Sequence, residues 1–168
     1  MSDDALIDVD FESIIEILNR RKVRYVVIGG VAAILQGVEL PRTVDVDITP
    51  ASDASNKRRL ATALAELEAK LRAPGLEEPI EIELDERTFI GMVTMTFVTR
   101  FGPFDISFVP DGTSGFEDLN ERSGTVERAG LKIPVASLVD IVRSKRAAGR
   151  EKDVRHIQIL LDFIESNE

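Results

Sequence analysis

Val23-Arg24-Tyr25-Val26-Val27-Ile28-Gly29-Gly30, followed after twelve residues by Thr43-Val44-Asp45-Val46-Asp47-Ile48-Thr49, sets the architecture of this chain. The first run is apolar, rich in β-branched residues and too short for a helix, so it reads as a buried strand broken by the glycine pair. The second alternates apolar and polar residues from Val44 to Thr49, the pattern of a strand with one buried face. Side chains alternate across a strand, so Asp45 and Asp47 share a face, about 7 Å apart by the strand rise. Two crowded carboxylates repel, and Arg42 is the cation nearest in sequence; a divalent ion relieves the charge. The plainer alternative for such a pair is the solvated side of an amphipathic strand.

Working outward, Phe11, Ile14, Ile15 and Leu18 recur at helical spacing up to Arg20, Arg21 and Lys22, whose charges suit a helix C-terminus. Val31 to Gln36 reads as a brief helix closed by Gly37. Asp53 to Arg72 reads as a long helix, capped by Asp53 or Ser52 and striped by Leu60, Leu64, Leu67 and Leu71. Strands are expected over Ile80 to Leu84, Phe89 to Phe101 and Phe104 to Val109. A helical turn or two follows at Phe116 to Glu121, then a hairpin from Thr125 to Ile133 around Gly130. From Pro134 to about Glu165 the pattern is helical, divided by Gly149. The expected class is α+β: a mixed β-sheet flanked by helices, with a helical C-terminus. Residues 1–168 read as a single domain, with a catalytic core at about 23–110 and a C-terminal helical part at about 134–165.

Composition narrows the chemistry. At 168 residues and 43 % apolar content the chain can bury a core without covalent staples. The absence of cysteine excludes disulfides, zinc-thiolate sites and thiol catalysis, and a single histidine, His156, excludes multi-histidine metal sites. The 30 acids outnumber the 21 bases to give a net charge of −9, which disfavours a broad nucleic-acid groove. No run approaches the roughly 20 apolar residues that span a bilayer, and the acidic start from Met1 to Asp10 lacks the form of a signal peptide, so a soluble cytoplasmic protein without membrane contact is expected.

A third acid, Asp105, lies within the apolar run Pro103-Phe104-Asp105-Ile106-Ser107-Phe108-Val109, where aspartate is a poor strand former. If its strand pairs beside that of Asp45 and Asp47, three carboxylates converge as two-metal phosphoryl chemistry requires; on its own, Asp105 reads as an edge residue facing water. The Gly29-Gly30 pair, opening a short helix, is a place where backbone N–H groups can approach a phosphate, or simply a tight turn. Neither G-x-G-x-x-G nor a P-loop is present. Between Arg143 and Arg155 six bases face two acids, a local excess of +4 that suits a triphosphate, an RNA acceptor, or a merely solvated helix face. On the last helix Val154, Ile157, Leu161 and Ile164 are the expected buried stripe, which leaves His156 facing outward.

Taken together, Gly29-Gly30, the Thr43-x-Asp45-x-Asp47 segment and the distant Asp105 resemble the nucleotidyltransferase superfamily typified by DNA polymerase β. The segment from Val135 to Asp153, with Leu138, Lys145, Ala148, Arg150, Lys152 and Asp153, is similar to that of AbiEii-like, toxin-type members. The resemblance implies the nucleotidyltransferase fold and NMP transfer from an NTP to a hydroxyl acceptor, with release of pyrophosphate. It implies a two-ion Mg²⁺ site on Asp45, Asp47 and Asp105, with Asp105 also taking the acceptor's proton. Gly29, Gly30, Arg42, Thr43, Lys145 and Asp153 would bind the nucleotide, with Lys145 stabilising triphosphate charge as part of the catalytic set. The acceptor it implies is tRNA or protein for a toxin-type member, with a cognate antitoxin as partner, or an aminoglycoside-type small molecule for an antibiotic-resistance member. A non-catalytic nucleotide- or partner-binding member is the reading from another class; it requires one of the three acids to be misplaced or paired with Arg42 or Lys145. Many small members carry serine after the first glycine and before the first metal aspartate, where this chain has Gly30-Val31 and Val44.

Overall fold

A computed structural model describes residues 6–168 of the chain; the first five residues of the acidic start lie outside it. Helix α1 (Phe11–Arg20) leads into β1 (Tyr25–Ile28), α2 (Gly29–Leu35) and β2 (Val46–Pro50). Helix α3 (Ala54–Glu66), β3 (Lys70–Arg72), β4 (Thr94–Thr99) and β5 (Gly102–Ser107) follow. The chain ends with α4 (Phe116–Glu121), the hairpin β6 (Gly124–Arg128) and β7 (Leu131–Val135), and the helices α5 (Leu138–Ala148) and α6 (Val154–Ser166). The strands form one mixed sheet in the order β3-β4-β5-β2-β1-β7-β6, as the α+β reading requires.

Register positions the site. β1 pairs antiparallel with β2, Ile28 opposite Asp47, and β2 pairs parallel with β5, Asp47 opposite Asp105. Opposed residues on neighbouring strands point to the same face, so the two acids stand side by side at one strand spacing, about 4.8 Å. Val26, Val27, Val46 and Ile48 are fully buried, the signature of central strands covered on both faces. Asn56, fully buried at the start of α3, ties the ends of β1 and β2 together: its Oδ1 accepts from Arg24 N (2.7 Å), and its Nδ2 donates to Arg24 O (3.0 Å) and Ala51 O (2.8 Å).

Several expected boundaries move. The helix capped by Asp53 stops at Glu66 instead of Arg72, because Leu67 is buried and Glu68 turns left-handed (φ 54°). Ala69 N then donates to Leu64 O and Glu68 N to Ala65 O, a Schellman ending without glycine, and Lys70–Arg72 pairs with β4. Ile80–Leu84 is not a strand; it is irregular apart from one bridge, Leu71 to Ile80, beyond the sheet's edge. The long strand expected from Phe89 is confined to Thr94–Thr99, Phe89 closing a 3-10 turn capped by Asp85. Asp45 and Val44 precede β2 and are not part of it. Pro134 opens no helix: it lies in β7 opposite Thr125 of the edge strand β6, and Ser137 caps α5 by accepting from Asp140 N. β7 pairs parallel with β1, so the C-terminal part contributes to the sheet as well as to the helical layer. No helix among the described residues is long and apolar enough to cross a membrane.

Candidate active site

The three aspartates converge. One carboxylate oxygen from each of Asp45, Asp47 and Asp105 lies within 4.8 Å of the others. The register of β2 on β5 places Asp47 and Asp105, and the segment entering β2 brings in Asp45, held by a long contact from Thr43 Oγ1 (3.4 Å). Burial pushes the Asp47 carboxyl well above the ordinary carboxylate range, and the charges of Asp45 and Asp105 push it further, with Lys145 opposing. Asp105 is likewise raised, first by burial. Its Oδ1 is buried with no hydrogen-bond partner.

Such a site suits a hard cation. All donors are carboxylate oxygens, the preference of Mg²⁺, and a cation satisfies both the orphaned oxygen and the mutual repulsion. The ion pairs that would disarm the cluster are absent among the described residues. Arg42 is held by Asp8, and Lys145 Nζ donates to Asp153 Oδ1 at 3.1 Å.

Gly29 follows β1 directly and takes φ +70°, where a side chain is strained. A Cβ there would stand 2.7 Å from Asp47 Oδ2. At Gly30 a Cβ would approach Thr43 Oγ1 to 3.2 Å. The glycine pair therefore keeps the wall beside the acids bare. Thr43 is fixed from the other side, its N donating to Leu6 O and its O accepting from Asp8 N, both at 2.8 Å.

These groups line one cleft of about 480 Å³. Its far wall is built by α5, α6 and the 3-10 turn between them (Glu151–Asp153), from which Lys145, Arg150 and Lys152 reach the cleft. Asp153 sits beneath them. Burial alone would raise its carboxyl, but bonds from Arg150 Nε (2.8 Å) and Lys145 outweigh that and hold it below the usual range. The near wall comes from the start of β4 and the end of β5 with the residues flanking them: Val93, Thr94, Ser107, Val109, Pro110 and Asp111. Asp140, 1 % exposed, anchors the base of α5 through Arg122 (2.7 Å) and Arg143 (3.2 Å).

All nine residues singled out from the sequence line this cleft. Two others were missed. Arg150 stands in the basic run but was not assigned to the site; the signal was its spacing of three from Asp153, the separation at which the two pair. His156 does not face outward. It borders the cleft, and burial, then the charge of Lys145, lower its pKa. The expected stripe is rotated: Val154 is 65 % exposed, and Leu160 is the residue fully buried. Its spacing of three from Asp153 is the sequence signal that places His156 on the cleft side.

The model of the DUF6036 family, described as nucleotidyltransferase of unknown function, matches residues 4–163. The chain belongs to that family. It is accordingly a nucleotidyltransferase, and the superfamily resemblance holds. The kinship with AbiEii-like members is a finer matter than this assignment. No curated protein matches the chain. Among solved structures, a Thermotoga maritima protein described as a nucleotidyltransferase is 24 % identical, with 90 % of each chain covered and a TM-score of 0.55. A lincosamide antibiotic adenylyltransferase bound to lincomycin is 18 % identical, covering 89 % of this chain and 93 % of its own (TM-score 0.59). ANT(2″)-Ia in complex with adenylyl-2″-tobramycin is 12 % identical over 92 % of this chain and 87 % of its own (TM-score 0.59). At these identities the likeness is one of fold.

Proposed function

We propose that this nucleotidyltransferase moves an NMP unit from a magnesium-bound NTP to a hydroxyl acceptor. The observation that carries the reading is the set of three carboxylates within 4.8 Å, with bare glycines on one side and cations on the other. Asp45, Asp47 and Asp105 would hold the metal, which would supply positive charge where negative charge grows on the reacting oxygens. Asp105 takes the proton of the acceptor hydroxyl as the bond from its oxygen to the α-phosphorus forms. The bond from the α-phosphorus to the bridging oxygen breaks, and its electron pair leaves on pyrophosphate. Gly29, Gly30 and Thr43 line the path of the phosphates, and Arg42 stands at its entrance. Lys145 meets the charge that grows on the leaving group.

The near wall bears on the acceptor. Val93 and Val109 are exposed there beside Pro110 and Asp111, and no lysine or arginine lines the cleft on the β4–β5 side. A phosphate backbone finds no counter-charge on such a wall, whereas a neutral or cationic hydroxyl compound with an apolar face does find a match. This favours a small-molecule acceptor, the class that the lincosamide and tobramycin complexes of the fold neighbours exemplify, over the tRNA or protein of a toxin-type member.

Label transfer tests the reading: purified protein, Mg²⁺ and each α-³²P-NTP in turn, with total tRNA, cell lysate, and aminoglycoside and lincosamide panels as acceptors. Label in a small acceptor, lost in Asp45→Ala, supports it. Label in tRNA or protein overturns the acceptor assignment and restores the toxin-type reading, with an antitoxin to be sought. No transfer to any acceptor, by protein that still binds NTP, leaves the non-catalytic reading.

A further inference from the structure

Asp153 contributes a negative charge to the wall on which Lys145, Arg150 and Lys152 gather, and a carboxylate facing a triphosphate would repel it. The structure gives its charge another use. Helix α5 stops at Gly149, the chain reverses, and a single 3-10 turn returns Asp153 against the helix it has just left. There the carboxylate is buried, 4 % exposed, with both oxygens occupied: Oδ1 by Lys145 Nζ at 3.1 Å, Oδ2 by Arg150 Nε at 2.8 Å. Lys145 is itself mostly buried, 13 % exposed, so its amine is fixed in direction as well as in place.

Two cations converging on one point repel each other. The carboxylate between them compensates that repulsion and leaves the three groups with a net charge of +1, and among the described residues Lys145 Nζ and the Arg150 guanidinium bond to no other side chain. Both residues line the cleft that holds the acid triad. We propose that Asp153 is a positioning residue: it never touches the nucleotide, and it orients Lys145 and Arg150 as a two-pronged cradle for the pyrophosphate portion of the NTP. The inference rests on the nucleotidyltransferase reading of the cleft, which assigns Asp153 to the nucleotide contacts, and it replaces that contact with an indirect role. Arg150, absent from the expected set, becomes a direct ligand.

The test is a double-mutant cycle read by calorimetric binding of inorganic pyrophosphate and ATP, with Mg²⁺, and by the KM for NTP where transfer is detectable. Asp153→Asn is expected to weaken both ligands by about tenfold or more and to raise the KM for NTP more than it lowers kcat, without moving the KM for the acceptor. In a Lys145→Ala, Arg150→Gln background the same change is expected to have almost no further effect, because its two intermediaries are gone. Full additivity overturns the proposal, as does wild-type pyrophosphate affinity in Asp153→Asn. Should Asp153→Asn fail to fold, Arg150→Gln, on a residue 57 % exposed, decides: unchanged pyrophosphate binding refutes the cradle, and a several-fold loss supports it. Binding needs no acceptor, so a protein that binds pyrophosphate in this pattern but transfers no label sinks the proposed reaction and leaves the cradle standing.

Discussion

Replacing Asp47 with asparagine is expected to stabilise the metal-free protein while abolishing its metal response. Two ionised carboxylates at the 4.8 Å limit of the triad repel by about 3–4 kcal/mol at an effective dielectric of about 20. The protein escapes part of this by keeping a proton on the cluster, and at pH 7 that escape itself costs at most about 4 kcal/mol for an acid whose ordinary pKa is 3.8. The stability held back by the crowding is therefore at most about 3–4 kcal/mol, which in a domain of this length is a rise in Tm of up to roughly 10 °C on substitution. The folded-state pKa of Asp47 lies above its unfolded value, so the native state binds the extra proton. The wild type's relative stability is then greatest below the unfolded pKa and falls as pH rises through the raised one. Melting curves in EDTA from pH 5 to pH 8 should show the variant's advantage widening with pH. Adding Mg²⁺ should reverse the order, since the wild type gains stability by ligation and the variant lacks a ligand. An Asp47→Asn protein that melts at or below the wild type in EDTA at pH 7 would refute the crowding argument.

Gly29→Ala, whose Cβ would meet Asp47 Oδ2 at 2.7 Å in a left-handed backbone, should leave a folded protein with transfer reduced about 100-fold and the Mg²⁺-dependent rise in Tm diminished; retention of both would contradict the close approach. Glu68→Gly relieves the left-handed Schellman position and should add about 1 kcal/mol in urea unfolding, a loss of stability counting against that geometry. Asn56→Ala strands two backbone groups, Arg24 N and Ala51 O, at the junction of β1 and β2, while Arg24 O keeps its bond from Ala51 N, and should remove about 2–4 kcal/mol, measured the same way; a loss under about 1 kcal/mol would mean that water takes its place.

How much of this was legible in the sequence depended on whether a feature was local. Asp47 and Asp105 could be placed because strand alternation fixes the face of Asp47 and because an aspartate in a run as apolar as Phe104 to Val109 demands a reason; Asp45 was drawn in by the same alternation, although the segment that carries it enters β2 without belonging to it. The glycine pair was legible for the same cause: a strand cannot continue through it. The end of α3 was not, since Glu68 occupies a turn that glycine ordinarily marks, and the leucine stripe continued past it to Leu71. Pro134 read as a helix opening because proline suits that position, whereas the pairing with Thr125 that holds it in β7 is set by tertiary structure. The near wall of the cleft was equally hidden: nothing in Val93 or Val109 indicates that β4 and β5 deliver them to the same mouth. Arg42 shows the limit for charges, since its partner Asp8 lies 34 residues earlier in the chain and is brought to it by tertiary structure.

The parallel pairing of β1 with β7 has a consequence during synthesis. β1 is an interior strand of the finished sheet, yet the strand that completes its second edge is among the last to be made. Gln36 reaches Ala136, 100 residues later, and Asn19 reaches Lys132, 113 residues later, to fasten that side. At ribosomal rates of about 5–20 residues per second, the apolar edge of Val26 and Val27 waits roughly 5–20 s for its neighbour, open to strand addition by a nascent copy on the same message. A circular permutant opened ahead of β6 would make β7 before β1, with α5, α6 and α1 between them, so that β1 emerges with its partner already synthesised, and it should raise soluble yield.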